Sequence, residues 1–427
     1  MEIRTKTYPS GLRLVVSTMP DSRAVSTFFG INTGSVNETP KNNGISHVIE
    51  HMTFKGTKQR SAEDISTELE SLGANINAFT SRYITCYYGS CIKENAEKSF
   101  EIFSDMILNS AYDEEELQKE LKVIFEEIDM YEDDPGSVAY DKYNEIFFEG
   151  TKLEQSVIGT KKVLSKLHRQ DLIDYITQFY VPSNMVVSVA GGITFEQADA
   201  MVEKYFNCGF KAKAEPIVPV PTKDKLLPKQ KFVTTKKDIS QTHIVMGYPT
   251  ENIYSKNAPA ISVLTFILGG GMSSRLFVRI REKLGLVYSI NATPELFDIA
   301  GNIVISLATN HTNQELALTA IREEIDNIAN NGVTDAELQK AKTFCKSMIV
   351  MSSETTINIA RHNAANTMQF GTYKTVDQRI DEIENVSLEQ VNRLAKEIFT
   401  SQNYCMAIVS DKPNKEGMNI YSKQTKK

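Results

Sequence analysis

The stretch Gly44-Ile45-Ser46-His47-Val48-Ile49-Glu50-His51-Met52-Thr53-Phe54-Lys55-Gly56-Thr57 decides how the rest of this chain is read. It holds two of the chain's six histidines, four residues apart, with a glutamate between them. On a helix of about 3.6 residues per turn, positions 47, 50 and 51 share one face. Two imidazoles at that spacing can grip one zinc ion, and a carboxylate beside them can take a proton from a water the metal acidifies. The order H-x-x-E-H reverses the commoner H-E-x-x-H. The competing reading is a surface helix whose histidines fall at i and i+4 by accident. The residues outside the stretch discriminate between the two.

A zinc site needs at least one further protein ligand, with a position left open for water. The acidic segment downstream offers Glu120, Glu126 and Glu127. Glu120 and Glu127 are separated by about 700° of helical rotation and so lie nearly in line, whereas Glu126 points elsewhere. Such a pair suits one carboxylate on the metal and one behind it, and spacing alone does not say which is which. Without the histidine helix upstream, a glutamate-rich helix would read as a solvated face.

The bulk properties set the frame. A chain of 427 residues is too long for one ordinary core, so two or more domains are expected. A hydrophobic fraction of 41% and a charged fraction of 24% describe a soluble globular protein. The net charge of -7 lacks the basic footprint that nucleic-acid binding requires. The five cysteines, Cys86, Cys91, Cys208, Cys345 and Cys405, are scattered and odd in number, which argues against a disulfide framework and for a reducing compartment. Cys86 and Cys91 stand on one strand-like run at a spacing that points them to opposite faces. The opening residues Met1 to Tyr8 carry no apolar core of signal-peptide length, and no run approaches the roughly eighteen apolar residues of a membrane span. The expectation is a cytoplasmic protein without membrane attachment.

Along the chain, Gly11 to Val16 and Ala24 to Ile31 read as strands around the turn Pro20-Asp21-Ser22. Ser61, with Asp64 three residues later, is placed to cap a helix that stops at Gly73. Asn75 to Thr80 and Tyr83 to Tyr88 read as extended segments. Helical segments follow at roughly 94–109, 113–132 and 136–148, then a helix near 169–180 and the apolar strand Met185 to Ala190. Lys211 to Lys231 holds four prolines with little periodicity and reads as an interdomain linker. Beyond it the pattern restarts. Asn385 to Val409 follows residues 166–190 at an offset of 219, matching Asn184 with Asn403, and Glu116-Leu117-Gln118-Lys119 recurs as Glu337-Leu338-Gln339-Lys340. The chain therefore reads as two copies of one α+β domain, 1–210 and 232–427, joined by 211–231. In the second copy Ala341 and Met348 stand where the first has Glu120 and Glu127, and no histidine pair precedes them. One copy carries the metal set.

With these residues in place, the whole chain resembles the pitrilysin and insulysin type of inverzincin peptidases, in particular the branch with mitochondrial processing peptidase and its bacterial relatives. The resemblance rests on His47 to Thr57, Glu120 and Glu127, Asn75 to Ser81, and Gly269-Gly270-Gly271-Met272-Ser273-Ser274-Arg275-Leu276-Phe277, and spans nearly the full chain. It implies that each half folds as a mainly antiparallel sheet packed against helices. It also implies that His47, His51 and Glu127 bind one zinc ion per chain, that Glu50 is the general base, and that Glu120 supports the site from behind. Asn77, Ala78, Phe79 and Thr80 would lie on an edge strand that holds the substrate backbone. Arg281 and Tyr288 match the pair with which the family's distal domain engages substrate. The same resemblance implies a peptide-bond hydrolase acting on short or unfolded peptides in a closed chamber, assembled as a homodimer with composite sites. The alternative is a noncatalytic or regulatory subunit of a heterodimer. The glycines at 269–271 lack the following Lys-Ser/Thr of a phosphate loop and read as a helix end and turn. Tyr83 stands where relatives carry an acidic residue, a departure that bears on substrate preference.

Overall fold

The structure, a computed structural model, describes residues 1–207, 213–219 and 226–413. Cys208 and parts of the expected linker lie outside the described residues. The first copy of the repeat runs β1 (Glu2–Thr7), β2 (Arg13–Thr18), β3 (Ala24–Ile31), α1 (Ile45–Met52), α2 (Ala62–Ser71), β4 (Asn75–Thr80), β5 (Thr85–Ile92), α3 (Ala96–Asn109), α4 (Glu114–Asp133), α5 (Pro135–Phe147), α6 (Lys161–Leu164), α7 (Arg169–Phe179), β6 (Met185–Gly191) and α8 (Phe195–Met201). The second runs β7 (Lys231–Lys236), β8 (Thr242–Thr250), α9 (Ala258–Gly269), β9 (Val287–Leu296), β10 (Gly301–Thr309), α10 (Gln314–Asn331), α11 (Asp335–Ser352), α12 (Thr356–Phe370), α13 (Val376–Glu384), α14 (Leu388–Phe399) and β11 (Cys405–Ser410). The expected helices and strands are present, with the second extended segment starting at Thr85 and continuing to Ile92.

The two sheets show the duplication directly. One has the order β1-β2-β6-β3-β5-β4 and the other β7-β11-β8-β10-β9. Apart from β1, the two orders correspond strand for strand. Each sheet is antiparallel except for one parallel pair, β2 with β6 and β11 with β7. That pair needs a long crossover, which the intervening helices supply.

By contacts, the chain forms two compact units whose limits differ from those of the repeat. Unit 1 comprises Met1–Asp129, Gln155–Pro219 and Val350–Thr375; unit 2 comprises Met130–Glu154, Val220–Ile349 and Val376–Lys427. Each unit thus takes one helix from the other half of the sequence. In unit 1, α12 lies on β3 and β6, where Ile359, Ala360, Ala364 and Met368 close over Val15, Phe28, Cys86, Val186 and Ala190. Asn363 Nδ2 donates to Ser17 Oγ at 2.7 Å, and the buried Arg13 guanidinium donates to the Thr367 carbonyl at 2.8 Å. In unit 2, α5 packs on β11 and β8, with Tyr143 2.8 Å from the Asn302 side-chain amide.

A glycine makes room for the crossing helix in each sheet. Gly30 pairs with Val186 in unit 1 and Gly247 with Cys405 in unit 2, equivalent places in the two sheets. A Cβ on Gly30 would overlap the Met368 sulfur, and one on Gly247 would overlap the Tyr143 hydroxyl. Because both faces of β3 are covered, its residues from Val25 to Ile31 are all buried and the strand reads as a continuous run with no polar alternation. Cys86 faces the α12 side and Cys91 the opposite core, as their spacing predicts.

Candidate metal centre and its surroundings

Helix α1 begins at Gly44, whose φ of 96° lies in the left-handed region that a side chain would resist. Ile45, Ser46, Val48, Ile49 and Met52 are buried in the core of unit 1, which leaves His47, Glu50 and His51 together on the outward face. The helix start is held by Glu38. This buried carboxylate accepts from the Gly44 and Ser46 amides at 2.7 and 2.9 Å and from Asn43 Nδ2 at 2.8 Å. A carboxylate there satisfies orphan donors and lies at the positive end of the helix. The helix end is held by Thr53, whose hydroxyl donates to the Ile49 carbonyl at 2.9 Å and meets the Tyr87 hydroxyl at 3.0 Å.

The acidic helix α4 buries Leu117, Glu120, Leu121, Ile124 and Ile128, a stripe of helical spacing with one carboxylate in it. Glu127 follows Glu120 along the same side and faces α1. Its Oε2 is 3.7 Å from His47 Nε2 and 3.6 Å from His51 Nε2. Two donors on one tetrahedral zinc ion, each about 2 Å from it, stand about 3.4 Å apart. One ligand atom from each of His47, His51 and Glu127 lies within 4.8 Å of the others, the one such cluster of three among the described residues. Two imidazoles and a carboxylate are the donor set of a catalytic zinc site with a position left for water. The residues present fit that ion.

Burial and neighbouring charges shift both imidazoles. Burial, and then the neighbouring His51, hold the His47 imidazolium down to about pKa 4, so His47 is neutral and able to donate a lone pair near neutrality. For His51, burial works against the charged form, but its contacts with Glu120, Glu50 and Glu127 outweigh that and raise its pKa. His51 Nδ1 lies 2.9 Å from Glu120 Oε1. With Nδ1 as donor, Nε2 is left unprotonated and aimed at the cluster. Glu120 therefore sits behind His51, and Glu127 in front. The fold decides an order that spacing left open. Glu126 is exposed and outside the cluster.

Glu50 occupies the same face of α1, and Thr80 Oγ1 donates to its Oε2 at 2.6 Å. Burial raises the Glu50 pKa most, Glu127 adds to the rise, and Thr80 and His51 oppose it. A carboxylate with a raised pKa suits proton transfer near neutrality. Thr80 closes β4, the last strand in the order of its sheet, and β4 pairs with β5 alone. On this strand Asn77 is exposed, its Oδ1 accepting from the Ala78 amide at 2.8 Å, and Phe79 packs beside Phe28 and Tyr88. The hydroxyl of Thr80 makes a side-chain contact with the candidate base, a role that a backbone-only reading of the edge strand misses. Thr80 and Glu50 are 30 residues apart on different elements, so no local spacing marks the contact.

Arg281 and Tyr288 belong to unit 2, the arginine on the π-helical stretch Phe277–Lys283 and the tyrosine near the start of β9. The guanidinium carbon of Arg281 stands 5.4 Å from the Tyr288 ring centre and 4.6 Å from that of Phe277. Tyr288 is 80% exposed. The pair, seven residues apart in sequence, thus meets as one cationic, aromatic feature. In the second copy, Ala341 is buried and Met348 is 48% exposed, so no carboxylate replaces Glu120 or Glu127 there. The glycines at 269–271 end α9 and lead into a turn, as read.

Comparisons with known proteins give the family. Residues 13–161 match the family described as insulinase, peptidase family M16, and residues 166–344 match the peptidase M16 inactive domain. A protein named as an uncharacterized zinc protease, YmxG, of Bacillus subtilis is 34% identical over 96% of this chain and 99% of its own. The chain belongs to peptidase family M16. An uncharacterized zinc protease of Rickettsia bellii is 31% identical over 92% of this chain and 94% of that protein. Among solved structures, a protease from Helicobacter pylori has a TM-score of 0.87 at 21% identity, covering 96% of this chain and 99% of that one. A protein titled peptidase M16 inactive domain, from Pseudomonas fluorescens, has a TM-score of 0.88 at 16% identity, covering 97% and 98%. Both show the shared fold of two sheets, each packed against helices. No helix among the described residues is long and apolar enough to cross a membrane.

Proposed function

We propose that this M16 chain is a zinc-dependent endopeptidase that hydrolyses peptide bonds in short or unfolded peptides. The observation that carries the reading is the convergence of His47, His51 and Glu127 with Glu50 on the same face of α1. His47, His51 and Glu127 would hold the ion, and Glu120 fixes the ring of His51. When bound, zinc supplies Lewis acidity, which lowers the pKa of a water and polarises a carbonyl oxygen. Glu50 takes the proton of the attacking water and passes it to the leaving amine, with its carboxylate oriented by Thr80. The outer edge of β4 supports binding of an extended peptide as an added strand, held by main-chain hydrogen bonds, with Asn77 to Thr80 alongside. Arg281 and Tyr288 would contact substrate from a second copy, in a homodimer whose enclosed sites limit substrates to flexible peptides.

The test is a peptide-library digest by zinc-loaded protein, with Glu50→Gln as control. The expected outcome is cleavage by the parent protein and a loss of about 10²–10⁴-fold or more in the variant at unchanged zinc content. Wild-type rates in Glu50→Gln would overturn the role of Glu50. A zinc content near zero in protein purified without chelators would favour a noncatalytic subunit.

A further inference from the structure

Behind His51, Glu120 has a second partner. Lys55 Nζ lies 2.6 Å from Glu120 Oε2, while Glu120 Oε1 faces His51 Nδ1 at 2.9 Å. The two oxygens of one carboxylate are thus divided between a lysine and the histidine. The Glu120 side chain is 7% exposed and the Lys55 side chain 32%. Lys55 reaches it because the chain folds back just after α1. Thr53 extends the helical turn, the Lys55 amide donates to the Met52 carbonyl at 3.1 Å, and Gly56 then turns with a φ of 108°.

We propose that Lys55 is a positioning residue for the metal centre: it holds the Glu120 carboxylate in the orientation that presents His51 Nε2 to the ligand cluster, and it sets the charge of that cluster. Two observations carry this. First, with Lys55 removed, Oε2 of a carboxylate that is almost fully enclosed would lack its partner. An enclosed carboxylate oxygen without a donor favours rotation toward water, and that rotation releases His51. Second, three carboxylates, Glu50, Glu120 and Glu127, stand around the histidines, and Lys55 places its ammonium group against one of them. The inference rests on the zinc reading given above and deepens it. Nothing in the short-range pattern of the motif marks this role, because the partner carboxylate lies far along the chain on α4.

The experiment compares the full-length parent with Lys55→Gln and Lys55→Arg. The readouts are zinc affinity by competition with a chromophoric chelator, the visible absorption of the cobalt(II)-substituted proteins, and kcat and KM on a cleaved peptide. Because Lys55 is partly exposed and outside the apolar core, the metal-free variants are expected to keep the parent's circular dichroism and melting temperature. Lys55→Gln is expected to weaken zinc binding about tenfold, the low end of the range for outer partners of metal ligands. The cobalt bands should shift, and kcat should fall with KM within about twofold. Lys55→Arg, which keeps charge and donors, should restore most of both. A folded Lys55→Gln protein with zinc affinity and kcat within twofold of the parent overturns the proposal, as does tighter zinc binding, which would make Lys55 an opposing charge. The affinity arm separates this inference from the peptidase reading. If the parent binds zinc but cleaves no peptide, a weakened Lys55→Gln site still supports the role of Lys55 while the peptidase reading falls.

Discussion

Thr80 and His47 show how single side chains set the properties of this site. The Thr80 hydroxyl favours the ionised form of Glu50 against burial, which favours the protonated form. Thr80→Val removes the donor, so the Glu50 pKa rises further and the general base is protonated at higher pH. The acid limb of the kcat/KM profile should therefore move to higher pH, with activity recovered on the alkaline side; an unmoved limb would separate Thr80 from the base. His47 makes a prediction for the metal-free protein. Its folded pKa is lowered from 6.5 to about 4, so between those values the unfolded chain binds more protons than the folded one. Stability then rises with pH across that window and is lost as pH falls through it. Urea midpoints of the metal-free protein should drop between about pH 6.5 and 4, and His47→Gln should flatten part of that slope. Of these residues, His47, Glu50 and His51 were legible from spacing, because i, i+3 and i+4 on a helix is local geometry. Lys55 and Thr80 were not assigned to these contacts, because their partners lie on other elements.

At the scale of elements, the crossing helices are the feature that local pattern does not reveal. Periodicity locates α5 and α12 well, yet their apolar faces say nothing of which sheet they cover. The glycines beneath them decide it: Gly247 leaves space for Tyr143, and Gly30 leaves space for Met368. Gly247→Ala should destabilise the protein by about 1–3 kcal/mol, the usual range for overpacking, because a tyrosine ring held by Asn302 has nowhere to go. Gly30→Ala should cost less, because the methionine thioether opposite it can change rotamer. Urea denaturation of the two variants checks the order, and equal or reversed effects would refute the account. Metal loading adds linked stability to both without altering that order.

Across the whole molecule, duplication followed by divergence gives the halves different equipment. Unit 1 holds the candidate metal cluster, and unit 2 holds Arg281 and Tyr288, with Ala341 and Met348 at the positions equivalent to Glu120 and Glu127. The homodimer reading makes a prediction about mixtures. Glu50→Gln chains and Arg281→Ala chains should each be nearly inactive alone. Mixed and allowed to exchange, they should regain activity, because one of the two sites in each mixed dimer is whole. Sedimentation should show a dimer at assay concentration. A monomer that is fully active, or mixtures without recovery, would overturn the composite arrangement.

The amino-acid sequence by itself determined the shared face of His47, Glu50 and His51 on α1, the in-line pair on α4, the duplication and the asymmetry between its copies. Each of these depends on residues close in sequence or on a constant offset, which helical geometry and strand alternation make readable. The tertiary structure set Glu127 against the histidines and Glu120 behind His51, an order that spacing left open and that the family resemblance implied. It also brought Lys55 to Glu120 and Thr80 to Glu50, and exchanged α5 and α12 between the sheets. Those choices are made by packing: where a carboxylate points, and which groove receives a helix, depends on side chains that meet only after the chain has folded.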